Sequence, residues 1–184
     1  MDRQQAFELI NQNLTNKNLI KHCLAVEAVM KSLAEYFQED QASWGLAGLL
    51  HDIDYEQTKD DPARHSLIGA EMLQKAGLDE EICQAVKTHN ETHGLELASR
   101  MAKALFVTDP LTGLIVASTL VLPSKKIRDL TVENVMNRLK EKGFARGANR
   151  EIIQRCTYLL DLSLEKFVNL SLQSMQRIDE DLGL

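Results

Sequence analysis

From Leu19 to Phe37 the residues Leu19, Cys23, Val26, Met30, Leu33 and Phe37 fall at alternating steps of four and three. On a helix of 3.6 residues per turn that spacing draws one apolar stripe, and the stripe must be covered by other elements. Sustained period-two alternation, the mark of a half-buried strand, appears nowhere in the chain. Only 9 Gly and 3 Pro interrupt 184 residues, which is long enough to bury a sizeable core. The fold class expected is therefore all-α, with seven or more helices and no sheet.

The helix ends are marked by capping residues. Arg3 to Asn13 and Asn18 to Phe37 form the first two helices, and Asp40 caps a third that runs from Gln41 to about Asp52. Asp61 with Pro62 predicts the start of a fourth helix that Gly77 ends. Asp79, with Glu80 and Glu81 behind it, opens a fifth that reaches about His89. A polar loop, Asn90 to Gly94, precedes a sixth helix from Leu95 to Thr108. Asp109 with Pro110 repeats the cap-and-proline signal for a seventh, through Leu122. A basic turn from Ser124 to Asp129 follows, then a helix between Thr131 and Gly143, and Asn149 opens a helical C-terminal stretch.

Charge and cysteine usage narrow the function classes. The 27 acids against 21 bases give a net charge of −6, which argues against a nucleic-acid duplex as partner and leaves a small anionic substrate open. The uncharged apolar stretch Leu111 to Ser124 is too short to span a bilayer, and the N-terminus lacks the basic and apolar blocks of a signal peptide. Cys23, Cys83 and Cys156 sit singly among apolar residues and read as reduced thiols. A cytoplasmic protein with no membrane partner is expected.

All five histidines lie between His22 and His93. His22 lies beside the apolar stripe, His65 leads Ile68 and Met72, His89 ends the Ile82–Val86 face, and Asp109 follows Met101 and Leu105. Each is expected to point into the core from a different helix. Unpartnered burial would cost roughly 1–3 kcal/mol apiece, and a metal satisfies several such groups at once. His51 and Asp52 diverge by about 100° on a helix and can clasp one ion from two sides, while the second carboxylate oxygen of Asp52 can bridge to another. Imidazole and carboxylate without thiolate suit Mn, Fe, Co, Ni or Zn, with Mg possible, as one or two ions. The absence of CxxC spacing excludes a structural zinc finger.

Blander readings compete at single positions. His22 and His65 could each bond a backbone carbonyl, Asp109 could cap the helix that Pro110 starts, and His93 is either a solvated loop residue or the ligand in place of His89. Asp54 either orients a ligand imidazole or is merely the first polar residue of a loop. Lys125, Lys126 and Arg128, like Lys142, Arg146 and Arg150, are either solvated or an anion grip.

His22, the doublet His51-Asp52 in LLHDIDYE, His65 in HSLIGAEML, His89 in AVKTHNETH and Asp109 in TDPLTGL occur in the order H, HD, H, H, D. This set resembles the HD superfamily of metal-dependent phosphohydrolases, in its HDIG-type variant, and TDPLTGLIVASTLV with PSKKIRDL is similar to a small bacterial subgroup of predicted hydrolases. The resemblance implies one HD-type helical domain over 1–184, with a metal-binding core at about 19–122 and a helical extension at 123–184. It implies hydrolysis of a small phosphate ester, a nucleotide or related metabolite, by a metal-activated water. His22, His51, Asp52 and Asp109 would ligate one ion, His65 and His89 a second, and Asp52 carries the catalytic role. Lys125, Lys126 and Arg150 are the candidates for gripping the substrate's anionic group. No lysine follows the doublet and no histidine adjoins His89, so a cyclic-dinucleotide diesterase fits poorly. The same ligands would serve a di-iron oxygenase or a non-catalytic metal or ligand sensor.

Overall fold

The computed structural model describes all of residues 1–184 and contains helices and turns with no strand. Helix α1 (Arg3–Asn13) starts from a capping box in which Asp2 and Gln5 each bond the other's backbone N–H. Helix α2 (Lys17–Phe37) carries the apolar stripe and ends where Gln38 turns left-handed. The Asp40 side chain accepts from Ser43 N–H and so caps α3 (Gln41–Leu50), as its sequence position predicted.

Gly48 sets how closely α3 lies on α2. A Cβ at that position would stand 2.9 Å from the Glu27 backbone and from the Val26 carbonyl, so only glycine admits this approach. The contact brings His51, at the end of α3, against His22 on α2. Short α4 (Tyr55–Thr58) follows, then α5 (Leu67–Lys75) and α6 (Glu80–Thr88).

Three predicted boundaries are corrected. The helix expected from Leu95 starts only at Arg100, behind its Ser99 cap. Asp61-Pro62 does not start a helix: residues 62–66 form a turn and α5 begins at Leu67. The reason is local, because Ser66 N–H and the His65 ring are both bonded to Asp54, which holds the chain out of helical register. His65 therefore sits on a turn and not on a helix. Asp109-Pro110 does not start one either, since α7 runs unbroken from Arg100 to Leu120 with Pro110 inside it. An interior proline costs about 3 kcal/mol. Burial of residues on both sides of it, Leu105, Phe106 and Val107 before and Leu111, Leu114 and Ile115 after, offsets that cost. Asp109 is thus a mid-helix residue and its reading as an N-cap is overturned.

By length and hydropathy α7 is also the one helix that could cross a membrane, but 67% of its apolar window is buried by the rest of the chain. It is the central helix of the core. Around it lie α8 (Val132–Lys140), α9 (Arg150–Gln154), α10 (Cys156–Leu159), α11 (Leu164–Gln176) and α12 (Asp179–Leu182). One apolar cluster runs from Ala6 in α1 to Leu182 in α12. The three cysteines are unpaired and buried.

Candidate metal centre

Five separate segments deliver the six site residues. His22 comes from α2, His51 and Asp52 from the turn that ends α3, His65 from the turn before α5, His89 from the end of α6, and Asp109 from the middle of α7. His51 is fully buried and Asp52 and His89 nearly so. The structure brings all six together.

Each imidazole is held from behind. His51 Nδ1 lies 2.8 Å from the Gly48 carbonyl and His89 Nδ1 2.6 Å from the Val86 carbonyl, both of which can only accept. His22 Nδ1 lies 3.3 Å from Thr112 Oγ1, whose own proton goes to the Asp109 carbonyl. His65 Nδ1 donates to Asp54 Oδ1 at 3.0 Å. All four rings therefore carry their Nδ1 proton outward and turn Nε2 towards a common centre, where it meets only nitrogens and carboxylate oxygens.

The carboxylates are arranged around that centre. Asp52 Oδ2 faces His51 Nε2 at 3.5 Å and His22 Nε2 at 3.7 Å, while Asp52 Oδ1 faces His65 Nε2 at 3.3 Å and His89 Nε2 at 3.5 Å. Asp109 Oδ1 stands 3.0 Å from His22 Nε2 and 3.8 Å from His51 Nε2. His22 Nε2 and His51 Nε2 are only 3.2 Å apart. Two imidazole lone pairs at that distance require a cation between them or a proton on one of them. The donor atoms of His22, His51 and Asp109 lie within 4.8 Å of one another, as do those of His51, Asp52 and His89, so the set can hold a divalent metal ion.

Without metal, protons supply the charge. Burial lowers the His51 pKa, but Asp52 and Asp109 outweigh it and raise it to about 9. Burial likewise opposes protonation of His65, whose hydrogen bonds to Asp52 and Asp54 raise it to about 10. Burial would raise the carboxyl pKa of Asp109, but hydrogen bonds from His22 and His51 drive it down. Histidine pKa values raised by folding stabilise the fold fully below about pH 6.5, and that stability is lost as pH climbs towards 9–10. We therefore expect the melting temperature of metal-free protein to fall by several degrees between pH 6.5 and 8.5, below the range where the buried thiols titrate. Metal-loaded protein should show little of this slope. Calorimetry at three pH values in that range checks it, and a flat or rising melting temperature for the metal-free form contradicts it.

The cluster floors an open pocket of about 390 Å³, walled by Leu19, Tyr55, Asn90, Glu91, Phe106, Pro110, Gly147, Asn149 and Ile152. Sequence reasoning missed these wall residues, because none carries a motif. Tyr55 stands edge-on to the His65 ring, and Asn149 bonds Glu91 across the mouth at 2.9 Å. Neither Lys nor Arg lines the pocket. Lys125 and Lys126 lie exposed on the turn after α7, away from the pocket wall. Arg150 is spent on structure, its guanidinium donating to the carbonyls of Ala145, Ala148, Glu141 and Phe144, so it is not free to grip an anion. His93 is also out of the ligand set: its Nε2 lies 2.7 Å from the His65 carbonyl and braces the His65 turn.

The HD domain family model matches residues 19–118. An uncharacterized protein of Methanocaldococcus jannaschii is 26% identical over 171 residues, covering 88% of this chain and 96% of the relative. Ribonuclease Y of Lawsonia intracellularis is 28% identical over 139 residues, 74% of this chain but 26% of the relative. A tRNA (cytidine(56)-2'-O)-methyltransferase of Picrophilus torridus is 26% identical over 155 residues, 81% of this chain and 44% of the relative. The chain thus spans almost all of the archaeal relative and less than half of either enzyme. No solved structure matches it.

Proposed function

The chain belongs to the HD domain family, and from that premise we propose that it is a metal-dependent phosphohydrolase of small phosphate esters, nucleotides or related metabolites. The observation that carries the reading is the placement of Asp52, whose two oxygens face two separate pairs of histidines at the floor of an open pocket. His22, His51, Asp109 and one Asp52 oxygen would hold a first divalent ion; His65, His89 and the other Asp52 oxygen would hold a second. Bound there, such ions supply Lewis acidity towards water and towards a phosphoryl oxygen.

The chain's own residues do the rest. The outward Nδ1 bonds keep the four rings from turning, so no reorganisation is needed when substrate arrives. No Lys or Arg lines the pocket, and Arg146 lines only the adjoining recess that His22 and Asp109 share, so bound divalent ions would supply most of the positive charge that an anionic ester meets there. The proton released when water attacks phosphorus would leave to solvent through the open mouth of the pocket. Tyr55, Phe106 and Ile152 give the organic part of the ester an apolar wall. The name of the ribonuclease relative brings a phosphodiester bond into the range of substrates worth testing.

The test is turnover of a panel of nucleoside monophosphates, sugar phosphates and short oligoribonucleotides, by metal-free protein given Mn²⁺, Fe²⁺, Co²⁺, Ni²⁺, Zn²⁺ or Mg²⁺ in turn, with and without oxygen. We expect phosphate or nucleotide release that needs metal, stops with chelator and continues anaerobically. Turnover that requires air would show an oxygenase instead. Metal-loaded protein with no turnover of any substrate would favour a binding role.

A further inference from the structure

Three of the four inward histidines lean on neutral acceptors, and His65 alone leans on a carboxylate. Asp54 is fully buried and both its oxygens are engaged, Oδ1 with His65 Nδ1 at 3.0 Å and Oδ2 with Ser66 N–H at 2.9 Å. Its surroundings are shaped to hold it. A Cβ on residue 69 would come within 3.1 Å of Asp54 Oδ1, so Gly69 leaves the room it occupies. Ser66 adopts φ 71°, a left-handed conformation unfavourable for serine, and is kept there by Asp54 and by its own hydroxyl bond to the Lys87 carbonyl on α6. One buried carboxylate thus ties the α3–α4 turn to the His65 turn and, through Ser66, to the helix that carries His89.

The two halves of the site are unequal in direct ligands. His22 and His51 share their corner with Asp109 and one oxygen of Asp52, whereas His65 and His89 have only the other oxygen of Asp52. We propose that Asp54 is the positioning residue that makes the His65–His89–Asp52 corner a second metal position, by fixing the His65 tautomer and placing a negative charge directly behind the ring. Each corner then has one carboxylate of its own, Asp109 in direct contact and Asp54 through His65, with Asp52 between them. A carboxylate behind a ligand imidazole raises its basicity and fixes its lone pair. The proposal rests on reading the cluster as a metal centre and is independent of the substrate.

Asp54→Asn keeps the shape and removes the charge. Its single oxygen cannot serve both donors: either Ser66 N–H is left unpaired, or the amide N–H faces His65 Nδ1 and forces the ring proton onto Nε2, which blocks the lone pair. Calorimetric titration of metal-free protein with Zn²⁺ or Mn²⁺ should show two binding steps in the wild type. In D54N the weaker step should lose about 10–100-fold in affinity while the tighter step is unchanged. A folded D54N variant that binds both ions as the wild type does would overturn the role of Asp54. A wild type that binds no ion would instead overturn the metal centre itself. Should D54N fail to fold, long-range ¹H–¹⁵N spectra of the wild type loaded with Zn²⁺ decide: we expect the His65 proton on Nδ1 and a metal-shifted Nε2, and a proton on Nε2 sinks the proposal.

Discussion

Asp52→Ala is expected to abolish binding at the second position, weaken the first, and cut turnover by about a thousandfold or more. The size follows from what the residue touches. One carboxylate faces all four Nε2 atoms at 3.3–3.7 Å, so its loss leaves His65 and His89 with no anionic ligand between them. Metal ions stabilise a phosphoryl transition state by several kcal/mol, and each 1.4 kcal/mol is worth a factor of ten. Metal analysis after gel filtration, with rates on whichever substrate the wild type accepts, gives the result. Wild-type metal content in the variant would remove Asp52 from the site.

The second large effect is expected at the contact between α2 and α3, directly behind His51. Gly48→Ala drives a Cβ to 2.9 Å from the backbone of Glu27 and Val26, atoms that cannot step aside without moving α2 against α3. Overpacking of this kind costs about 2–3 kcal/mol, which for a chain of this length lowers the melting temperature by roughly 5–10 °C. The same displacement separates His51 from His22, so the first metal position should weaken as well. Gly113→Ala is the control: nothing lies within 4 Å of its added Cβ, and alanine is the better helix residue, so stability should hold or rise. Scanning calorimetry of both variants tests the pair, and a Gly48→Ala protein as stable as wild type would mean that the helix contact is looser than described.

How much of this was legible in the chain varied with the range of the interaction. The start of α3 could be read because Asp40 caps it through a bond three residues long; Asp2 and Asn16 cap α1 and α2 by bonds equally local. Two of the failures have long-range causes. Asp61-Pro62 carries a helix-start signal, but Asp54 claims His65 and Ser66 first. Asp109-Pro110 carries the same signal, but burial on both sides holds α7 straight through it. The six residues that converge could be picked out because the histidines are few and clustered and, with the two aspartates, fall in a recognisable order. The substrate contacts could not, since charge alone does not say where a side chain is spent: Arg150 looks the same in sequence whether it grips phosphate or, as here, four carbonyls of its own loop. Asp54 was open to two readings for the same reason, and only its two bonds across the turn distinguish them.

If one aspartate divides the six residues into two metal positions, anomalous diffraction from crystals soaked in Mn²⁺ shows it directly. Two peaks are expected, one among His22, His51 and Asp109, the other beside His65 and His89, with Asp52 contributing an oxygen to each. A single peak, or peaks away from Asp52, would contradict it.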